Sequence, residues 1–142
     1  MHQLPTPCEA PLSKLWKGRA TAPELGVQYW YQKVQLLDLE KKSETDAVPH
    51  VALLGYACDE GVRRNKGRIG AAQGPDAIRK QLARLAFHHN SLRISDYGNL
   101  LCADGNLEDC QKALSVLTEK LVTQGSFPIV LGGGHDVAYG HF

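Results

Sequence analysis

No apolar run in this sequence is long enough to cross a bilayer; the longest candidates, residues 51–54 and 127–131, are strand-sized. The opening MHQLPTPCEAPLSKLWKGR has no basic region followed by an apolar core, so it does not read as a secretory leader. Nor is there an excess of one charge. Sixteen Lys and Arg face fifteen Asp and Glu, a net +1, which gives no global field to draw nucleic acid or an anionic membrane. Any positive site must therefore be local. Cysteines are few: Cys8, Cys58, Cys102 and Cys110. No pair has the C-x-x-C spacing of a zinc or redox site, and the expectation is reduced thiols in a cytoplasmic protein. Internal repeats and low-complexity tracts are missing as well. What remains is an ordinary globular balance, 43% hydrophobic and 22% charged, in 142 residues. That length suits one compact domain or part of a larger one.

The chain divides into an irregular lead-in over residues 1–46 and an α/β segment over residues 47–142. Pro5, Pro7, Pro11 and Pro23 keep the lead-in from forming a long helix, because proline removes a donor and fixes φ. Trp16 is too large to leave in water, so the lead-in is expected to pack back onto the body. A short helix is predicted over 28–39 and a polar loop over 41–46. HVALLGY (His50 to Tyr56) reads as a strand buried on both faces. A glycine-rich loop over 57–74 follows. Pro75 then opens a helix over 75–87 with Ile78, Leu82 and Leu85 as its buried stripe. A second strand spans 92–95 and ends in Asp96-Tyr97-Gly98. Asn106 caps a long helix whose stripe is Leu107, Cys110, Leu114, Leu117 and Leu121, and Gly125 stops it. Residues 129–131 form a third strand, Gly132-Gly133-Gly134-His135-Asp136 a turn, and a last helix begins beyond it and runs toward Phe142. Strands alternating with helices predict a mainly parallel sheet with crossover helices.

In open sheets of this kind ligands bind at the carboxyl ends of the strands. Two loops occupy that edge, 57–74 and 132–136. His135 follows a strand and three glycines, which allow a sharp turn and the close approach of a ligand. Imidazole is a common metal ligand; the alternative is a histidine that only fills the turn. A nucleotide-binding reading of the glycines fails on spacing, because G-x-G-x-x-G would need glycine where Val137 stands. Arg63, Arg64, Lys66 and Arg68 in the earlier loop suit carboxylate recognition, arginine through its planar fork; the alternative is a solvated loop. His88 and His89 read as surface residues, and His141 falls on a different helix face from His135. Asp136 reads as the N-cap of the last helix in preference to a support for a metal ligand.

Three segments together resemble the ureohydrolase (arginase/agmatinase) family: HVALLGYACDEGVRRNKGRIGAAQGPDAIR, DYGNL and IVLGGGHDVAYGHF. The loop from Asp59 to Ala71, the GGGHD turn and the early WKGR (Trp16 to Arg19) are most similar to the formimidoylglutamase branch. An acidic residue usual after that W-x-GR is replaced here by Ala20-Thr21. The resemblance implies a three-layer α/β/α fold with a mainly parallel sheet, of which this chain holds the N-terminal part. It implies two Mn2+ ions at the strand ends, with His135 as a ligand of one. The implied reaction is hydrolysis of the amidine C–N bond of N-formimidoyl-L-glutamate to glutamate and formamide, by a hydroxide held between the ions. Arg63, Arg64, Asn65, Lys66 and Arg68 are the candidates to meet that small substrate's carboxylates. The family's other ligands lie in D-x-H-x-D and D-x-D motifs beyond the GGGH. The catalytic residues are therefore expected downstream of Phe142, and the chain alone is not expected to catalyse the reaction. The resemblance further implies a homo-oligomer for the intact protein; from the balanced charge, no nucleic-acid or membrane partner is expected. The other readings are an agmatinase-like guanidine hydrolase, which a cation-rich loop suits poorly since agmatine is cationic, and a non-catalytic truncated remnant.

Overall fold

The computed structural model describes residue 4 and residues 6–39, 49–89 and 91–142. The elements in chain order are β1 (Cys8–Glu9), α1 (Trp30–Lys33), β2 (Gln35–Leu36), β3 (His50–Ala57), α2 (Glu60–Arg64), α3 (Gly74–Leu82), β4 (Arg93–Leu101), α4 (Leu107–Thr123), β5 (Ser126–Leu131) and α5 (Val137–His141). The sheet order is β1-β4-β3-β5, with β2 also on β4. β3 pairs in parallel with both β4 and β5, β2 pairs in parallel with β4, and β1 runs antiparallel to β4. The result is the mainly parallel α/β architecture expected. No helix among the described residues is long and apolar enough to cross a membrane.

β3 lies between β4 and β5, and its side chains enter two cores. Ala52, Leu54 and Tyr56 pack with the stripe of α4, while Leu53 packs on the opposite face with Leu15, Trp16, Ala83, Phe87 and Ile94. A strand covered on both sides reads as a continuous apolar run, as HVALLGY does. The α4 stripe Leu107, Cys110, Leu114, Leu117 and Leu121 is buried as its helical spacing demands. Asn106 Oδ1 accepts the Asp109 backbone N–H at 3.1 Å, and Gly125 takes φ 77 just past the helix. The lead-in returns to the body: Trp16 is buried and donates its indole N–H to Asp96 Oδ2 at 2.7 Å.

Several expectations are corrected. The helix expected over 28–39 is a single turn, Trp30–Lys33, followed by the short strand β2, because Gln35 and Leu36 find a strand partner in Ser95 and Asp96. The loop 57–74 contains helix α2 and a 3-10 turn at Ala71–Gln73. α3 ends at Leu82, and its buried residues are Pro75 and Arg79, whereas Ile78 and Leu85 are exposed. An ion pair beneath the helix, described below, rotates the buried face toward the arginine. The second and third strands are longer than expected, since β4 runs on through Asp96-Tyr97-Gly98 and β5 begins before Pro128. Proline is tolerated there because β5 pairs on one side with β3 and, among the described residues, with no other strand. The loop expected at 41–46 lies outside the described residues.

β4 carries a bulge. Leu53 faces Asp96 but Gly55 faces Asn99, so Tyr97 and Gly98 together oppose Leu54. Gly98 adopts φ +81, and a Cβ there would lie 2.0 Å from the Glu9 carbonyl oxygen, so only glycine serves.

Candidate functional site

The carboxyl ends of β3 and β5 open into two loops that are built against each other. Gly134 donates its backbone N–H to the Cys58 carbonyl at 2.9 Å. Gly132 and Gly133 both have positive φ, +70 and +84. A Cβ on Gly133 would stand 2.6 Å from the Tyr56 carbonyl oxygen, and one on Gly132 would stand 2.6 Å from the Pro75 nitrogen. The glycines therefore let the turn lie directly on the ends of β3 and α3. The turn delivers His135 to the surface, where its ring is exposed.

Asp136 occupies the N-cap position of α5, but its side chain does not cap the helix. Instead Oδ2 accepts the Tyr56 hydroxyl at 2.7 Å. Its other oxygen, Oδ1, is buried and has no hydrogen-bond partner among the described residues. Gly61 and Gly134 make room for this carboxylate, since a Cβ on either would come within 2.5 and 2.4 Å of Oδ1. The expected cap is thus replaced by a tie between the His135 turn and β3. The tie was hidden in the sequence because Tyr56 reads only as the last apolar residue of a strand.

The cation-rich loop divides into paired and open groups. Arg63 donates Nε to Glu60 Oε2 at 2.7 Å and Nη2 to Glu60 Oε1 at 2.5 Å. Arg64 donates Nε to Glu60 Oε1 at 3.0 Å and also grips Glu108 at the start of α4, with Nη2 3.1 Å from Oε2. Held first by Arg63 and then by Arg64, the Glu60 carboxyl is lowered to about 2. Asn65, Lys66 and Arg68 are exposed, and no ion pair among the described residues holds Lys66 or Arg68. Lys66 sits in the left-handed region at φ 56, which closes the end of α2. Asp59 Oδ2 accepts the Gly70 N–H at 3.0 Å and draws the loop into a ring.

Beneath the same edge, the Cys58 thiol is lowered to about 6, first by a hydrogen bond from Cys110 and then by the Glu60 backbone N–H and the Cys102 thiol, against the opposing effect of burial. Burial is the main reason the Cys102 thiol is pushed up to about 12. His88 and His89 are exposed, as expected of surface residues, and His141 is exposed on α5. Phe142 follows at the end of that helix. Its backbone N–H donates to the Ala138 carbonyl at 3.2 Å and its ring is fully exposed. A phenyl ring can neither bind metal nor move a proton, so Phe142 is not a candidate site residue. An open cleft of about 500 Å3 lies between α3, the turn at Ala71–Gln73 and the carboxyl ends of β3 and β4, and is lined by Glu9, Ala57, Asp76, Lys80 and Asn99 among others. It does not include His135. His135 and the cations therefore share one edge of the sheet, but among the described residues no group of three oxygen or nitrogen ligands gathers around His135.

Residues 49–142 match the family model described as the arginase family. The formimidoylglutamase of Chromobacterium violaceum is 45% identical over 130 residues, covering 91% of this chain and 40% of that protein. The formimidoylglutamase of Aeromonas salmonicida is 49% identical over 128 residues, covering 89% and 39%. Among solved structures, Trypanosoma cruzi formiminoglutamase with Mn2+ superposes with a TM-score of 0.59 at 32% identity, covering 70% of this chain and 35% of that one. The chain thus spans about two fifths of the length of the curated relatives it matches. With a family model matching from residue 49 to residue 142 and relatives of one name at this identity, the chain belongs to the arginase family.

Proposed function

We propose that this chain is the N-terminal part of a manganese-dependent formimidoylglutamase in which His135 holds one ion of a pair. The observation that carries the reading is the glycine turn after β5, which brings an exposed imidazole to the carboxyl edge of the sheet against the cation-bearing loop. The names of the relatives and the Mn2+ in the T. cruzi structure support it. The donor set fits as far as it goes. An imidazole suits manganese, and the next residue, Asp136, holds a buried carboxylate oxygen without a partner among the described residues. Two manganese ions need more nitrogen and oxygen donors than one imidazole, and in this reading those come from downstream of Phe142, outside these 142 residues. When bound, the metal supplies a water acidic enough to serve as a nucleophile near neutral pH.

The substrate in this reading is N-formimidoyl-L-glutamate, cleaved at its amidine C–N bond to glutamate and formamide in a cytoplasmic homo-oligomer. Lys66 and Arg68 are the cations open to its carboxylates, with Asn65 beside them; Arg63 and Arg64 approach substrate only with part of their hydrogen bonding spent on Glu60. A guanidinium offers a carboxylate a planar fork and an ammonium offers a point charge.

The test uses protein translated from the complete reading frame and loaded with manganese. It is expected to release glutamate and formamide from N-formimidoyl-L-glutamate and to leave agmatine intact. His135→Asn is expected to bind manganese more weakly, as read by metal content after dialysis. Cleavage of agmatine in preference to the amidine, or undiminished manganese in His135→Asn, would overturn the reading. Residues 1–142 alone are expected to show no turnover.

A further inference from the structure

Three of the four cysteines, far apart in the chain, meet in space. Cys58 follows β3, Cys102 follows β4 and Cys110 lies in the first turn of α4. Their Sγ atoms all lie within 4.8 Å of one another, and among the described residues this is the one group of three His, Cys, Asp or Glu side chains so arranged. Cys58 and Cys110 are fully buried, whereas Cys102 is half-buried and leaves one side open. Cys8 stands apart and exposed.

The spacing discriminates between the chemistries open to three thiols. Sulfurs around a tetrahedral zinc, at about 2.3 Å from the ion, sit roughly 3.8 Å from each other. The observed cluster reaches that geometry by drawing in by about 1 Å at most. A disulfide requires approach to about 2 Å and would leave the third sulfur over. Ordinary core packing needs only apolar volume from each position and no convergence of sulfur. Three thiols also select the ion. Thiolates favour soft and borderline cations, whereas manganese favours oxygen and nitrogen.

We propose that Cys58, Cys102 and Cys110 form a binding site for a thiophilic d10 cation of the zinc type, distinct from the His135 edge. The cation replaces the three thiol protons, and the half-buried side of Cys102 gives it, and a water as fourth ligand, their way in. Bound there, it joins the ends of β3 and β4 to the start of α4 and stiffens the floor beneath α2.

Cobalt is the probe, because cobalt(II) held by thiolates shows a sulfur-to-metal charge-transfer band. The full-chain protein, reduced and stripped of metal by a chelator, is titrated with Co2+ and then with Zn2+ and Mn2+. One equivalent of cobalt is expected to give the band; Zn2+ abolishes it and excess Mn2+ leaves it. Cys102→Ser, at the half-buried position, is expected to lose most of the band while keeping its melting transition. Cys8→Ser and His135→Asn keep it. Zn2+ is further expected to protect the half-buried Cys102, but not the exposed Cys8, from maleimide, as mapped by mass spectrometry, a readout that needs no variant to fold. Absence of the band, its survival in folded Cys102→Ser, or equal labelling of Cys102 with and without zinc would each overturn the proposal.

Discussion

Arg79 clasps Asp96 through two hydrogen bonds, Nε to Oδ2 at 2.8 Å and Nη2 to Oδ1 at 2.7 Å, with the two side chains 1% and 0% exposed. The pair is not isolated. Arg79 also donates Nη1 to Asn99 Oδ1 at 2.6 Å and Nη2 to the Gly98 carbonyl at 2.7 Å. Asp96 further accepts from the Trp16 indole and, at 3.0 Å, from the Gly98 N–H. A buried charge keeps its place only when paired and hydrogen-bonded, and here one network joins the lead-in, α3 and β4.

Removing one partner strands the other charge out of water, which costs about 3–5 kcal/mol. Arg79→Met and Asp96→Leu are each expected to lower the unfolding free energy, read from urea denaturation, by that order. The double variant is expected to lose clearly less than the sum of the two, in a double-mutant cycle followed by circular dichroism. Strict additivity would show that the two residues are not coupled.

His50 sits buried between two hydroxyls, Nε2 2.8 Å from Ser95 Oγ and Nδ1 2.9 Å from Ser126 Oγ. Burial, and secondarily Arg93, lowers its pKa below the ordinary value of 6.5. The unfolded chain therefore binds the proton more readily than the folded one. The stability this contributes is complete above pH 6.5 and is lost as the pH falls below that value toward the folded pKa. Thermal melts between pH 7.5 and 5 are expected to show a drop in Tm that His50→Gln flattens.

Tyr56→Phe removes the single hydroxyl that satisfies the Asp136 carboxylate. An unmet buried acceptor costs about 1–3 kcal/mol. Because the lost bond anchors the residue next to His135, manganese affinity in the full-length protein is expected to fall by about 10–100-fold, measured by competition with a chelating dye. An effect on stability with none on metal affinity would separate Asp136 from the His135 site.

Gly133→Ala places a methyl group against Tyr56 with the backbone at φ +84. The left-handed conformation alone costs roughly 1–2 kcal/mol in a residue with Cβ, and the collision adds to it. The variant is expected to melt well below the parent. Gly70→Ala, whose Cβ would meet nothing within 4 Å, is the milder control despite its positive φ.

Phe127 is 68% exposed on β5, close to the partly exposed Ile129. Exposed apolar strands invite pairing between chains. Residues 1–142 alone are expected to run as oligomers by size exclusion, and Phe127→Lys is expected to shift them toward monomer.

Much of this fold was legible because it rests on local periodicity. The α4 stripe, its Asn106 cap, the buried run of β3 and the alternation of strands with helices all show in the spacing of apolar residues. The turn that presents His135 was legible too, from its glycines and from family resemblance. Features that depend on contacts between distant segments were not. The buried face of α3 looks as if it should run through Ile78 and Leu85 until Asp96 is seen to draw Arg79 inward. The Tyr56–Asp136 bond and the meeting of Cys58, Cys102 and Cys110 depend on where β3, β4, β5 and α4 come to rest, and no spacing along the chain encodes that.

The bulge in β4 has a consequence for the length of the chain as distinct from its chemistry. Strand residues alternate between faces, yet Asp96 and Asn99 both reach Arg79 while Tyr97 and Leu100 both enter the α4 core. The extra residue at Gly98 shifts the alternation by one step. A regular strand through Gly98, with no bulge, would send Asn99 toward leucines and Leu100 toward a guanidinium, inverting every position after it. One more residue between Asp96 and Leu100, without a second bulge, would have the same effect. Related sequences should carry no extra residue between Asp96 and Leu100.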